Sequence, residues 1–164
     1  MEWLNAIFQC LGYPELAPQI SAAKAKYKFE TIRDNYKSIQ EVQQALREAG
    51  LESSNLIVGI DFTKSNTWTG QKSFNGRCLH DITGPINPYQ QVIGIVGRTL
   101  EVFDDDHLIP AFGFGDTFTT DKSCFPFFPD RPCNGLQEVL TRYQEIAPGY
   151  VRHVQLSRKH NTHV

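Results

Sequence analysis

The spacing of apolar side chains changes period several times along the chain, and each change marks an element. Trp3, Leu4, Ile7, Phe8 and Leu11 share one side of a short helix. That segment carries no Lys or Arg, which favours docking on the domain over insertion at a membrane surface. Pro14 and Pro18 then break the pattern, and residues 12–26 read as a linker. Ser38-Ile39-Gln40-Glu41 forms a capping box, in which a hydroxyl and a carboxylate satisfy orphan amides at a helix start. Ile39, Val42, Ala45, Leu46 and Ala49 follow at helical spacing, and Gly50 supplies the stop.

Leu56-Ile57-Val58-Gly59-Ile60 is a short continuous apolar run, as expected of a parallel strand buried on both faces. It delivers Asp61 to the carboxyl end of a strand, where open α/β sheets bind ligands. Residues 66–87 are rich in Asn, Gly, Ser and Thr and read as a long irregular connection. Asn87-Pro88 is an N-cap and first helical residue, and Tyr89, Val92, Ile93, Val96, Leu100 and Phe103 continue that helix to about Asp104. Leu108 to Phe114 reads as a second buried strand, weakened early by Pro110. Residues 116–133 form an aromatic, proline-containing excursion with room for a short hairpin. Asn134 and Gln137 open a helix with Leu136, Val139, Leu140 and Tyr143 on its apolar face. Pro148-Gly149 is expected to stop it, with a third strand over Val151 to Leu156. This alternation predicts an α/β fold built on a doubly wound, mostly parallel sheet. Three clear strands fall short of the roughly five or six usual for such sheets, so the sheet is expected to be incomplete.

Composition narrows the class. A chain of 164 residues suits one domain, and 40% hydrophobic with 21% charged residues is a globular rather than disordered balance. A net charge of −2 and a pI near 6.2 provide no basic field, so neither nucleic acid nor an anionic membrane is implied as a partner. Cys10, Cys78, Cys124 and Cys133 contain no C-x-x-C pair, which argues against a zinc ribbon or RING within these residues. Reduced thiols in the cytoplasm or nucleus are expected. No apolar stretch approaches the roughly 18–20 residues of a membrane span, and the N-terminus lacks a signal-peptide pattern.

Asp61, Thr63 and Ser65 form D-x-T-x-S directly after the apolar run. One carboxylate and two hydroxyls are hard oxygen ligands suited to Mg²⁺ or Mn²⁺, and also to Ca²⁺. So little protein charge leaves a bound cation electrophilic enough to take a carboxylate from a protein partner. Asp116, after a glycine-rich strand end, is a further candidate ligand, with a turn role as the alternative. Asp104-Asp105-Asp106 reads as a solvated helix terminus or turn. Cys78 and His80 alternate along the chain, but no third group orients them for nucleophilic catalysis. Neither a dinucleotide fingerprint nor a nucleophile elbow is present.

Beyond that motif, Glu52-Ser53-Ser54-Asn55-Leu56 through Asn66, Ser73-Phe74, Leu79-His80, Asn87-Pro88-Tyr89, Phe103-Asp104 and Pro110 through Gly115 occur in an order that resembles the copine-type von Willebrand A domain. The resemblance covers residues 28–157, after an N-terminal segment and linker at 1–27. Lys64-Ser65-Asn66, Trp68-Thr69-Gly70 and Gly115-Asp116 are more similar to the copine-like RING-domain ubiquitin ligases than to true copines. What the resemblance implies is a module that recognises protein partners, ubiquitination substrates among them, through a metal-dependent adhesion site. A fragment of a true copine, acting in calcium-dependent membrane signalling, is the alternative, and an α/β hydrolase is a more distant one. The family draws further ligands from a Gly-Pro-Thr loop and a later Thr-Asp-Gly, whereas here Ser157 runs into Arg158-Lys159-His160. The expectation is therefore a C-terminally shortened domain with a divergent tail at 158–164 and a partial site of Asp61, Thr63 and Ser65. In the A-domain topology later strands flank the Asp61 strand, so their absence is expected to leave Leu56–Ile60 as an exposed apolar edge.

Overall fold

The computed structural model describes residues 35–120 and 122–160, with side chains described as far as Val151. The amphipathic segment at 3–11, the linker at 12–26 and the end of the polar tail lie outside the described residues.

Helix α1 (Ile39–Glu48) begins as its sequence predicts, with Ser38 Oγ accepting from the Glu41 amide. The Glu41 carboxylate reaches one residue further back than expected and accepts from Lys37 N at 2.8 Å. At the other end the Gly50 and Leu51 amides return to the carbonyls of Arg47 and Leu46. Gly50 makes this possible at φ +94°, a left-handed conformation that costs a glycine nothing.

Strand β1 (Val58–Asp61) pairs in parallel with β3 (Ala111–Phe114), setting Asp61 opposite Phe114. Strand β3 also pairs antiparallel with β4 (Cys124–Pro126), giving the order β1-β3-β4. The α/β class is as expected, and the sheet is a mixed one in which the Asp61 strand is the parallel member. Burial on both faces of that strand is not observed: Ile60 is 5% exposed but Ile57 is 46% exposed. One face packs on the core while the other meets solvent, and among the described residues β1 forms one edge of the sheet.

Pro110 divides the second apolar run. Before it, β2 (Leu108–Ile109) pairs with β5 (Cys133–Asn134); after it, β3 joins the larger sheet. Proline has no N–H for a ladder, so the run is shared between two sheets rather than continuing in one.

Helix α2 (Ser65–Ser73) lies where an irregular connection was expected. Its Asn, Thr, Gly and Ser residues have weak helix propensity, so tertiary packing decides. Asn66, Thr67 and Gly70 are buried, and the Leu79 amide bonds to the Asn66 carbonyl. Helix α3 (Pro88–Leu100) is capped reciprocally by Asn87 and Gln90 and ends in a 3₁₀ turn at Glu101–Phe103.

Helix α4 (Gly135–His160) runs through Pro148, so neither the expected stop nor a strand at 151–156 is observed. An interior proline costs a helix about 3 kcal/mol. Ala147 and Tyr150, on either side of it, are buried against the core, and burying one large side chain regains about 1.5–3 kcal/mol. The core joins Ile60 and Phe62 to Ile93, Ile109, Phe127, Val139 and Tyr143. Among the described residues no helix is long and apolar enough to cross a membrane.

Candidate functional site

The segment leaving β1 turns sharply because Asp61 Oδ1 accepts from the Thr63 amide at 2.7 Å. That bond aims the carboxylate toward Thr63, whose Oγ1 lies 2.7 Å from Ser65 Oγ. The three residues singled out by spacing are thus linked in one short chain of contacts, with Ser65 opening α2. Asp116 reaches the same end of the sheet and lines a cleft of about 290 Å³ with Phe62, Lys64, Gly115, Thr117, Thr120 and Tyr150. Its Oδ1 already accepts from the Phe118 and Thr119 amides and from Thr119 Oγ1, so its described role is to hold its own turn. Gly115 permits the approach of that turn. A Cβ there would stand 2.4 Å from Thr63 Cγ2, and its φ of +78° would itself strain any other residue.

Behind this loop lies a buried polar arrangement that spacing did not reveal. Parallel pairing turns the Val58 and Phe62 amides toward the β3 side, onto Pro110 O and Phe114 O. The Asp61 carbonyl therefore points away from β3 at an open sheet edge. Three donor groups converge on it: His80 Nε2 at 2.8 Å, Tyr89 Oη at 2.9 Å and Asn66 Nδ2 at 2.9 Å. Tyr89 shares its single proton with Asn66 Oδ1, and Asn66 Nδ2 also donates to Thr63 O. Tyr150 Oη donates to that same Thr63 carbonyl at 2.7 Å.

A carbonyl can only accept, so His80 carries its proton on Nε2 and leaves Nδ1 to accept from Tyr143 Oη at 2.9 Å. Asn87 Nδ2 in turn donates to Tyr143 Oη at 3.1 Å, which ties the α3 cap to the loop. The His80 ring is stacked between Phe62 (4.6 Å) and Tyr89 (4.1 Å). Burial holds its pKa down at about 4 despite the opposing pull of the Asp61 carbonyl bond and carboxylate. The imidazole is neutral, enclosed and fully used, and Tyr89 and Tyr143 are held above the usual phenol range by burial.

Comparison with known proteins settles the ancestry. Residues 78–158 match the copine family. E3 ubiquitin-protein ligase RGLG5 of Arabidopsis thaliana is 60% identical over 152 residues, covering 88% of this chain and 35% of that protein. The chain belongs to the copine family. E3 ubiquitin-protein ligase RGLG1 of the same plant is 59% identical over 122 residues, or 74% of this copine-family chain and 25% of the relative. Copine family protein 2 of Caenorhabditis elegans is 48% identical over 119 residues, covering 70% of the chain and 2% of that protein. This copine-family chain thus spans about a third or less of the length of these relatives. The most similar of the three are ubiquitin ligases by name, in agreement with the resemblance carried by Lys64-Ser65-Asn66 and Gly115-Asp116.

Proposed function

We propose that this segment recognises a protein partner through a divalent cation held at Asp61, Thr63 and Ser65, and that it serves partner selection in ubiquitin ligation. The observation that carries the reading is the 2.7 Å separation of Thr63 Oγ1 and Ser65 Oγ beside an oriented Asp61 carboxylate. Ligands of Mg²⁺ stand about 2.0–2.1 Å from the metal in octahedral geometry, so adjacent ones lie roughly 3 Å apart. The donor set is hard and oxygen-only, which suits Mg²⁺ or Mn²⁺. When bound, the cation supplies a Lewis-acidic position for an incoming oxygen.

The same chain of contacts implies weak cation binding by this segment alone. It offers one carboxylate, and the start of α2 at Ser65 sets the positive end of a helix dipole beside it. That end disfavours the cation slightly and favours a carboxylate approaching from outside. A partner Asp or Glu therefore completes the site better than water does. Asp116, committed to its own turn, is a secondary ligand at most. The ubiquitin-ligase context is proposed from the relatives' names and their 59–60% identity.

Titration calorimetry with Mn²⁺ and Mg²⁺ tests the cation reading. The wild type is expected to bind Mn²⁺ and Asp61→Ala to lose that binding while keeping its thermal unfolding transition. Equal, negligible heats from both proteins would sink it.

A further inference from the structure

We propose that His80 and Tyr89 are positioning residues for the cation site, acting through the backbone carbonyl of Asp61. This rests on the cation reading above and adds two residues that touch none of the three ligands' side-chain oxygens.

Asp61 is the last residue of β1, an edge strand among the described residues, and its carbonyl faces away from β3. At an ordinary strand end such a carbonyl bonds water and its peptide plane is free to tilt. Here three donor groups, from His80, Tyr89 and Asn66, meet on that one oxygen. His80 Nε2 and Asn66 Nδ2 each donate to it, and the Tyr89 hydroxyl shares its one proton between this oxygen and Asn66 Oδ1, so the carbonyl is engaged by protein groups on the buried side. Fixing this carbonyl fixes the plane of the Asp61–Phe62 peptide, which sets the Thr63 amide, and that amide in turn holds Asp61 Oδ1. The position of the carboxylate is thereby transmitted from the buried side of the loop.

The donors are themselves tied into the core. His80 is 0% exposed, stacks at 4.1 Å on Tyr89, and has its second nitrogen fixed by Tyr143. Tyr143 is held by Asn87, whose side chain also caps α3. Three helices, through Asn66, Tyr89 and Tyr143, and the loop carrying His80 are committed to the orientation of one peptide unit. A core that needed only stability would be served by an apolar side chain at 80, because a buried imidazole requires partners for both nitrogens. Supporting groups of this kind around metal ligands are worth about 10- to 100-fold in metal affinity.

The test measures Mn²⁺ affinity in the full 164-residue chain and in three variants. Tyr89→Phe removes only a hydroxyl, His80→Phe removes both ring nitrogens while keeping an aromatic ring, and His80→Gln restores a donor at similar reach. Each is also melted without metal. Tyr89→Phe and His80→Phe are expected to weaken Mn²⁺ binding about tenfold or more while still folded. His80→Gln should recover a substantial part of the loss, which a purely structural role would not produce. Folded Tyr89→Phe that binds Mn²⁺ within twofold of wild type overturns the positioning role and leaves the cation site standing. Should His80→Phe not fold, Tyr89→Phe decides alone. Wild type that fails to bind Mn²⁺ overturns the cation site and the positioning role together.

Discussion

At Asp61 the backbone oxygen, more than the carboxylate, gathers the buried hydrogen bonds of the site. One consequence is a dependence of stability on acid. The His80 pKa lies at about 4 in the folded chain against 6.5 for the free group. Between those values the unfolded chain binds a proton that the folded chain refuses. The stabilisation is therefore complete above pH 6.5 and is lost as pH falls toward 4, by about 3 kcal/mol in all. Asp81 and Glu138 are held down at about 2, chiefly by hydrogen bonds to Arg77 and Arg131, so their stabilisation disappears only at lower pH. Urea melts at about pH 7 and about pH 5 should show the decline, and His80→Gln should flatten it; identical midpoints in wild type would contradict the assignment. The turn that joins Asp61, Thr63 and Ser65 was legible in the sequence because it is local. His80, Tyr89 and Tyr143 were not, because their contacts cross between elements and no spacing rule reports a tertiary hydrogen bond.

Among the elements, α3 shows how one residue serves both a helix and a site. Asn87 accepts from the Gln90 amide through Oδ1 and donates to Tyr143 through Nδ2. Asn87→Ala is expected to cost about 2 kcal/mol, from a lost cap and a lost buried bond. Ser38→Ala, at an exposed cap on α1, is expected to cost about 1 kcal/mol or less. Equal losses in denaturant melts would show that the Tyr143 bond adds nothing. The caps of both helices were readable from sequence, since capping is a short-range exchange of hydrogen bonds. The polar helix α2 was not, because burial of Asn66, Thr67 and Gly70 overrides propensity. Nor was the continuation of α4, where Tyr150 anchors the turn beyond Pro148 by packing and by its bond to Thr63 O.

At the scale of the molecule, the mixed sheet leaves β1 at an edge among the described residues, with Ile57 46% exposed beside a solvent-facing Gly59. An unpaired edge bearing an apolar side chain recruits strands from other molecules. Wild type is expected to associate with rising concentration, and Ile57→Lys to shift it toward monomer with unfolding free energy changed by no more than about 0.5 kcal/mol. Light scattering after gel filtration reads both, and a wild type that stays monomeric at all concentrations would refute the expectation. The parallel pairing of β1 with β3 also has a bearing on time. Val58 and Ala111 are separated along the chain by two helices and their loops. Contacts so distant along the chain form late, because the entropy of closing the loop is lost before the pairing compensates for it. The Asp61 turn, which leans on Phe114 O through the Phe62 amide, is then expected to be among the last parts to assemble. Helices capped by their own neighbours can form while that corner is still open, so the proposed ligands Asp61, Thr63 and Ser65 are expected to come together only when it closes.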